Sequence, residues 1–96
     1  MLLVPQKYTE NIQQIITWHL RTYVPDKLFN IPTKRILERL EQGTVVQLED
    51  KELYYINECV ANAKNNVPEC GVEQSVVDEI FDWIHPEYKK TKQTII

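Results

Sequence analysis

Apolar positions along the chain recur mostly with the spacing of helices that bury one side. The first such stripe runs from Tyr8 to Tyr23 and predicts a helix that Thr9 caps and that ends at Val24-Pro25-Asp26. Its members are Tyr8, Ile12, Ile15, Ile16, His19, Leu20 and Tyr23.

A second helix is predicted from Thr33 to Gln42, because proline suits the first turn of a helix and glycine suits its end. Pro32 precedes this segment and Gly43 follows it. The apolar stripe is narrow, and the opposite side carries three cations, which makes this the most basic predicted helix of the chain. The stripe is Ile36, Leu37 and Leu40, and the cations are Lys34, Arg35 and Arg39.

Two more helices are predicted in the second half of the chain. Asp50 is expected to cap a third helix over residues 51–64, and a fourth is expected over residues 73–85, with Pro86 as its stop. The apolar faces are Leu53, Ile56, Cys59, Val60 and Ala63 in the third helix and Val76, Val77, Ile80, Phe81, Trp83 and Ile84 in the fourth.

One internal segment, Thr44–Leu48, has the β-branched residues of a short strand. A single strand needs a partner. Leu2–Val4, Thr94–Ile96 or a second copy of the chain could each provide one. We therefore predict a mainly α fold of about four helices with one short β-strand pair, in a small α or α+β domain with a single core.

Residues 1–88 are expected to form one globular helical domain, and residues 89–96 a basic, mobile tail. The 96 residues are 43% hydrophobic, carry a net charge of -3 and contain no apolar run longer than four residues. A membrane span needs about 20 apolar residues, and no export signal is evident. We therefore expect a cytoplasmic protein with Cys59 and Cys70 as free thiols.

Four residues could bind a metal: His19, Cys59, Cys70 and His85. No two of them have the close spacing of structural zinc ligands, so we expect neither a metal nor another cofactor. His19 is expected to be a histidine at the core edge, bonded to a backbone carbonyl. Glu69 and Glu73 flank Cys70 and disfavour its thiolate, and we expect no catalytic residue and no enzymatic activity.

Charge and aromatic placement suggest an interaction surface instead. Residues 65–88 hold six acidic side chains and no lysine or arginine, and three of the six form a ridge on the fourth helix. Large aromatic residues off the core side are typical of interface hot spots. The predicted partner-binding residues are Trp18, Tyr54, Tyr55, Asp78, Glu79 and Asp82.

The resulting expectation is a non-catalytic protein-binding module: a small regulator, inhibitor or assembly subunit that meets a partner with a basic surface. Chains of this kind are common among accessory proteins of phages and mobile elements. Dimerisation through the strand or the fourth helix is a further expectation. The alternative is a nucleic-acid-binding regulator that uses Lys34, Arg35, Arg39, Lys89, Lys90 and Lys92, which the acidic balance disfavours.

Overall fold

A computed structural model describes residues 1–23, 27–43, 45–67 and 69–94, and it confirms a mainly helical fold with a short strand pair. Its elements in chain order are β1 (Leu2–Leu3), α1 (Gln6–Thr22), α2 (Lys27–Glu41), β2 (Gln47–Leu48), α3 (Asp50–Lys64) and α4 (Gln74–Thr94). The predicted helix stop at Val24-Pro25-Asp26, Thr44 of the predicted strand and the last two isoleucines lie outside the described residues.

The first helix begins earlier than Thr9, so the predicted cap is wrong. Pro5 occupies the N-cap position, and its carbonyl accepts a hydrogen bond of 2.9 Å from the Tyr8 N–H. Proline is well tolerated at a helix start because the first N–H groups have no partner within the helix. The apolar stripe of α1 faces inward as predicted.

Pro32 lies inside α2 instead of at its start, and the helix begins at Lys27. The expectation that Pro32 or Thr33 opens this helix is therefore wrong. Thr33 is fully buried, and its hydroxyl donates to the Phe29 carbonyl over 2.7 Å. The additional turn places Leu28 and Phe29 on a helix, where sequence had indicated a loop.

The strand at residues 47–48 takes its partner from the amino terminus of the same chain. β1 and β2 pair antiparallel, with Leu2 opposite Leu48 and Leu3 opposite Gln47. The Val4 N–H extends the ladder by donating to the Val46 carbonyl over 2.9 Å. Of the three partners considered, the amino-terminal segment is the one found.

Glu49, and not Asp50, occupies the N-cap position of α3, and Asp50 is the first residue of the helix. The Glu49 N–H donates to Glu52 Oε1 over 2.9 Å, and the other carboxylate oxygen of Glu52 accepts from Arg39 Nη2 over 2.6 Å. Glu52 therefore accepts a hydrogen bond from a backbone N–H at the start of α3 and connects α3 to α2 through Arg39.

The last helix runs through Pro86 to Thr94, so the predicted stop at residue 85 is wrong. The turns after Pro86 continue because they make contacts of their own. Tyr88 packs against the core, and the Thr91 hydroxyl donates to the Glu87 carbonyl over 3.1 Å. Residues 89–94 are thus the end of α4.

The core lies between the four helices, and the sheet covers one side of it. It contains the inward residues of every helix, together with Val4, Val46 and Leu48 from the strand segments. The apolar arc of α4 lies against this core: Val77, Ile80 and Ile84 are fully buried, and Val76, Phe81 and Trp83 are partly buried.

Candidate functional site

A continuous chain of ring contacts crosses one side of the molecule and includes residues from all four helices. We call it the aromatic belt, and its members are Trp18, His19 and Tyr23 (near or just past the end of α1), Phe29 (α2), Tyr54 and Tyr55 (α3) and Tyr88 (α4).

The belt is held together at ordinary ring-contact distances, with edge-to-face, stacked or tilted geometry. His19 is its centre: its ring stacks on Tyr23 at 4.4 Å and meets Phe29 at 5.3 Å between centroids. Phe29 contacts Tyr55 at 5.3 Å and Tyr54 at 6.2 Å, and Tyr54 lies 6.1 Å from Tyr88. Trp18 joins through Tyr23 at 5.8 Å.

The three aromatic residues predicted to bind a partner therefore belong to one connected cluster, but they differ in exposure. Trp18 and Tyr55 are half-buried against the core. Tyr54 keeps 42% of its surface exposed. On the first turns of α2, where they flank Phe29 and Asn30 in the sequence, Leu28 is 84% exposed and Ile31 is 52% exposed. We call these three exposed apolar residues, Tyr54, Leu28 and Ile31, the outer side of the belt.

A small cavity of about 200 Å³ opens in the middle of the belt, and we call it the belt pocket. Four rings and three polar side chains line it: His19, Tyr23, Phe29, Tyr54, Asn30, Glu58 and Asn62. Three of these residues, Tyr54, Glu58 and Asn62, belong to α3. They are spaced by four residues, which places them in a row along one side of the helix.

One hydrogen bond fixes the floor of the belt pocket. Asn62 Nδ2 donates to His19 Nε2 over 3.0 Å, so this partner is a side-chain amide and not the expected backbone carbonyl. His19 Nδ1 is buried and has no hydrogen-bond partner among the described residues. Burial lowers the pKa of His19 below its usual range, which keeps the ring neutral at physiological pH.

The predicted acidic ridge is divided between two sides of α4. Asp78 lies 4.0 Å from Lys64 of α3 and accepts from Gln74 over 2.8 Å, whereas Glu79 lies 3.6 Å from Lys7 of α1. Asp82 is exposed, with no ion pair among the described residues.

The basic residues of the alternative surface are also separated by the fold. Arg39 is bound to Glu52, while Lys34 and Arg35 are exposed on α2. At the end of α4, Lys89 is exposed. Lys90 lies 3.4 Å from Glu87. Lys92 lies on the same helix, with its side chain outside the described part.

The residues considered above for catalysis or metal binding lie apart from one another and are largely buried. Cys59 and Cys70 are both buried free thiols. Burial, assisted by the nearby Glu58 charge, raises the pKa of the Cys59 thiol far above its usual range. His85 Nδ1 donates to the buried Asn57 side-chain oxygen over 3.0 Å. Among the residues that the structure describes, no three His, Cys, Asp or Glu side chains form a group suited to a metal ion.

Sequence reasoning missed Phe29 and Glu58, which complete the belt pocket. Phe29 was overlooked because Pro32 was interpreted as a helix start, which left residues 27–31 in a loop. Glu58 had a usable signal: it stands four residues from both Tyr54 and Asn62 on a predicted helix.

Comparison with known protein families, with characterised proteins and with solved structures gives no match to this chain. Across the described residues, every helix is too short or too polar to span a bilayer.

Proposed function

We propose that this protein is a non-catalytic protein-binding module whose contact surface is the outer side of the aromatic belt. The observation that carries the proposal is the exposure of Tyr54, which belongs to a connected set of rings from four helices, together with that of Leu28 and Ile31, which flank Phe29 and Asn30 in the sequence of α2. Single exposed apolar residues are common, but several of them near an aromatic cluster are typical of interfaces.

Burial supplies the free energy for such an interaction. Covering a fully exposed leucine or isoleucine side chain gives about 1.5 to 3 kcal/mol. Tyrosine adds contact area with few rotatable bonds, so less conformational entropy is lost on binding. Leu28, which is 84% exposed, would gain most of this free energy on burial, and the half-exposed Ile31 and Tyr54 would gain part of it.

The preferred partner has a basic contact surface. The chain has a net charge of -3. Glu58 lies in the belt pocket, and the exposed Asp82 adds to the negative field from α4. Long-range attraction of this kind accelerates encounter more than it strengthens the complex. Asp78 and Glu79 contribute less than the sequence had indicated, because each has a lysine within 4.0 Å.

The test is affinity capture from an extract of the encoding organism with three forms of the protein: wild type, Ile31→Glu and Val45→Glu. Val45 is the matched control, because it is 80% exposed and lies outside the aromatic belt. The proposal predicts that wild type and Val45→Glu recover the same proteins, and that Ile31→Glu recovers at least tenfold less of them. Equal recovery by all three forms would overturn it.

The nucleic-acid-binding alternative has weaker support. Arg39 is already paired with Glu52, which leaves Lys34 and Arg35 as the exposed cations of α2. Binding to phosphate weakens steeply as salt increases, because counterions are released. Retention of a mixed DNA and RNA pool at physiological salt, lost at high salt and in Lys34→Glu, would favour this alternative over the proposed protein partner.

A further inference from the structure

The belt pocket has the chemistry of a site for a cation. Glu58 is the only charged residue among its lining side chains, and it makes no ion pair with a described residue. The remaining lining groups are rings and amides. A carboxylate among aromatic faces attracts a cation through both its charge and the negative faces of the rings.

The size of the belt pocket restricts what can enter. Pockets for drug-sized molecules hold about 300 to 1,000 Å³. The belt pocket, at about 200 Å³, is smaller and is suited to the end of one side chain. Tyr54, one of the residues proposed above to meet a protein, lines the belt pocket, so the pocket is within reach of a side chain of that protein.

The polar groups of the belt pocket favour arginine over lysine. Asn62 uses its amide nitrogen on His19, so its amide oxygen remains to accept a hydrogen bond. Together with the Glu58 carboxylate this gives several acceptors around planar rings. A guanidinium group is planar, carries five donors and stacks on aromatic faces, whereas an ammonium group is compact and strongly hydrated.

We propose that the belt pocket binds an arginine side chain of the protein partner, with Glu58 pairing with the guanidinium group and the rings of Tyr54 and Phe29 enclosing it. This inference rests on the proposed function and specifies the partner: it presents an arginine at the centre of its contact surface.

The experiment is a titration of the ¹⁵N-labelled full chain with N-acetyl-arginine methylamide, followed by NMR. We expect saturable shifts at residues 54–62 with a dissociation constant in the millimolar range, as suits a ligand of one side chain. The neutral analogue N-acetyl-citrulline methylamide is expected to cause no saturable shift at the same concentrations. N-acetyl-lysine methylamide is expected to bind more weakly than the arginine derivative, because its ammonium group is compact and strongly hydrated. Equal binding of the citrulline derivative or of the lysine derivative would overturn the assignment.

Two variants distinguish binding in the belt pocket from non-specific attraction of a cation to the negatively charged protein. Glu58→Gln is expected to weaken binding of the arginine derivative at least tenfold. Glu41→Gln, which removes an exposed carboxylate at the far end of α2, is expected to bind it like wild type. Both variants should retain the wild-type NMR fingerprint outside the substituted positions. Unchanged binding by Glu58→Gln would contradict the proposal.

The two proposals fail in different ways. If Ile31→Glu loses its captured proteins while the arginine derivative causes no saturable shift, the protein-binding surface stands and the arginine site is wrong. If the derivative binds through Glu58 while Ile31→Glu captures the same proteins as wild type, the arginine site stands and the proposed contact surface is wrong.

Discussion

Asn62 donates its side-chain N–H to Nε2 of His19 over 3.0 Å and so connects α3 to α1 beneath the belt pocket. Because Nε2 is the acceptor, the neutral His19 ring carries its proton on Nδ1, which is buried without a partner among the described residues. Protonation would place a positive charge on this buried ring, and the cost of removing that charge from water is what lowers the pKa of His19.

The pH dependence of stability should report this burial. His19 has an ordinary pKa of about 6.5 in the unfolded chain and a lower pKa in the fold. Between these two values the unfolded state binds more protons, so the free energy of unfolding falls as the pH is lowered. For one histidine the slope is at most about 1.4 kcal/mol per pH unit.

Urea unfolding of wild type and His19→Gln between pH 7.5 and pH 5 measures this contribution. The variant is less stable at neutral pH but should lose less stability on acidification. Identical pH slopes for the two proteins would show that His19 is not desolvated as described.

Glu52 is expected to contribute to stability through two contacts. Glu52→Ala removes its bond to the Glu49 N–H and its ion pair with Arg39. With a cap worth about 1 kcal/mol and a partly exposed ion pair worth less, the free energy of unfolding should fall by about 1 to 2 kcal/mol. Chemical denaturation checks this.

Lys51→Ala is the matched control for that measurement. It removes an exposed pair with Glu49 at 3.4 Å on the same helix turn, and its effect should stay within about 0.5 kcal/mol. Similar losses in both variants would mean that Glu52 acts as an ordinary surface charge.

Pro86 should be a destabilising residue within α4. Proline lacks the N–H that would bond to the Asp82 carbonyl, and it is about 3 kcal/mol less favourable than alanine inside a helix. Proline also lowers the conformational entropy of the unfolded chain, and this offsets up to about 1 kcal/mol of that cost. Pro86→Ala should therefore raise the free energy of unfolding by about 1 to 2 kcal/mol in urea melts.

Pro5→Ala provides the comparison, because Pro5 stands at the N-cap position of α1, where no helical N–H bond is lost. It should change stability little or lower it slightly. A Pro86→Ala variant no more stable than wild type would indicate that the turns after residue 86 do not depend on a continuous helix.

Pro32 and Pro86 show where sequence interpretation reached its limit. The spacing of apolar residues predicted the four helices and their inward faces, since burial of one side determines that pattern. Pro32 was wrongly interpreted as a helix start and Pro86 as a helix stop, and both lie inside helices. Contacts that only the fold creates, such as Phe29 with His19 and Tyr88 with Tyr54, lie beyond the predicted ends of those helices.

The candidate surface was also predictable in part, because the spacing of residues on a helix indicates which side each one faces. Tyr54 and Tyr55 could be placed off the apolar face of α3 from their positions alone. The belt pocket could not be predicted, because His19, Phe29 and Glu58 come from three helices that only tertiary packing brings together. Similarly, sequence could not show that Lys7 and Lys64 lie beside the acidic ridge.

Thiol reactivity tests whether either cysteine is available for chemistry. Cys59 and Cys70 are both buried, and the raised pKa of Cys59 disfavours its thiolate. In the folded protein both should react with a disulfide reagent at least tenfold more slowly than a free cysteine, and unfolding in urea should abolish the difference. A Cys70 that reacts faster than free cysteine in the folded state would instead support a catalytic role.

The central claim is that the outer side of the aromatic belt is the surface that meets a protein partner. Hydroxyl-radical footprinting of the chain, free and in the complex recovered by affinity capture, tests it most directly. The account predicts that oxidation of Leu28, Ile31 and Tyr54 slows at least threefold in the complex, while the exposed Met1 and Val45 are oxidised as in the free chain. Protection of Met1 and Val45 with unchanged oxidation of Leu28, Ile31 and Tyr54 would contradict it.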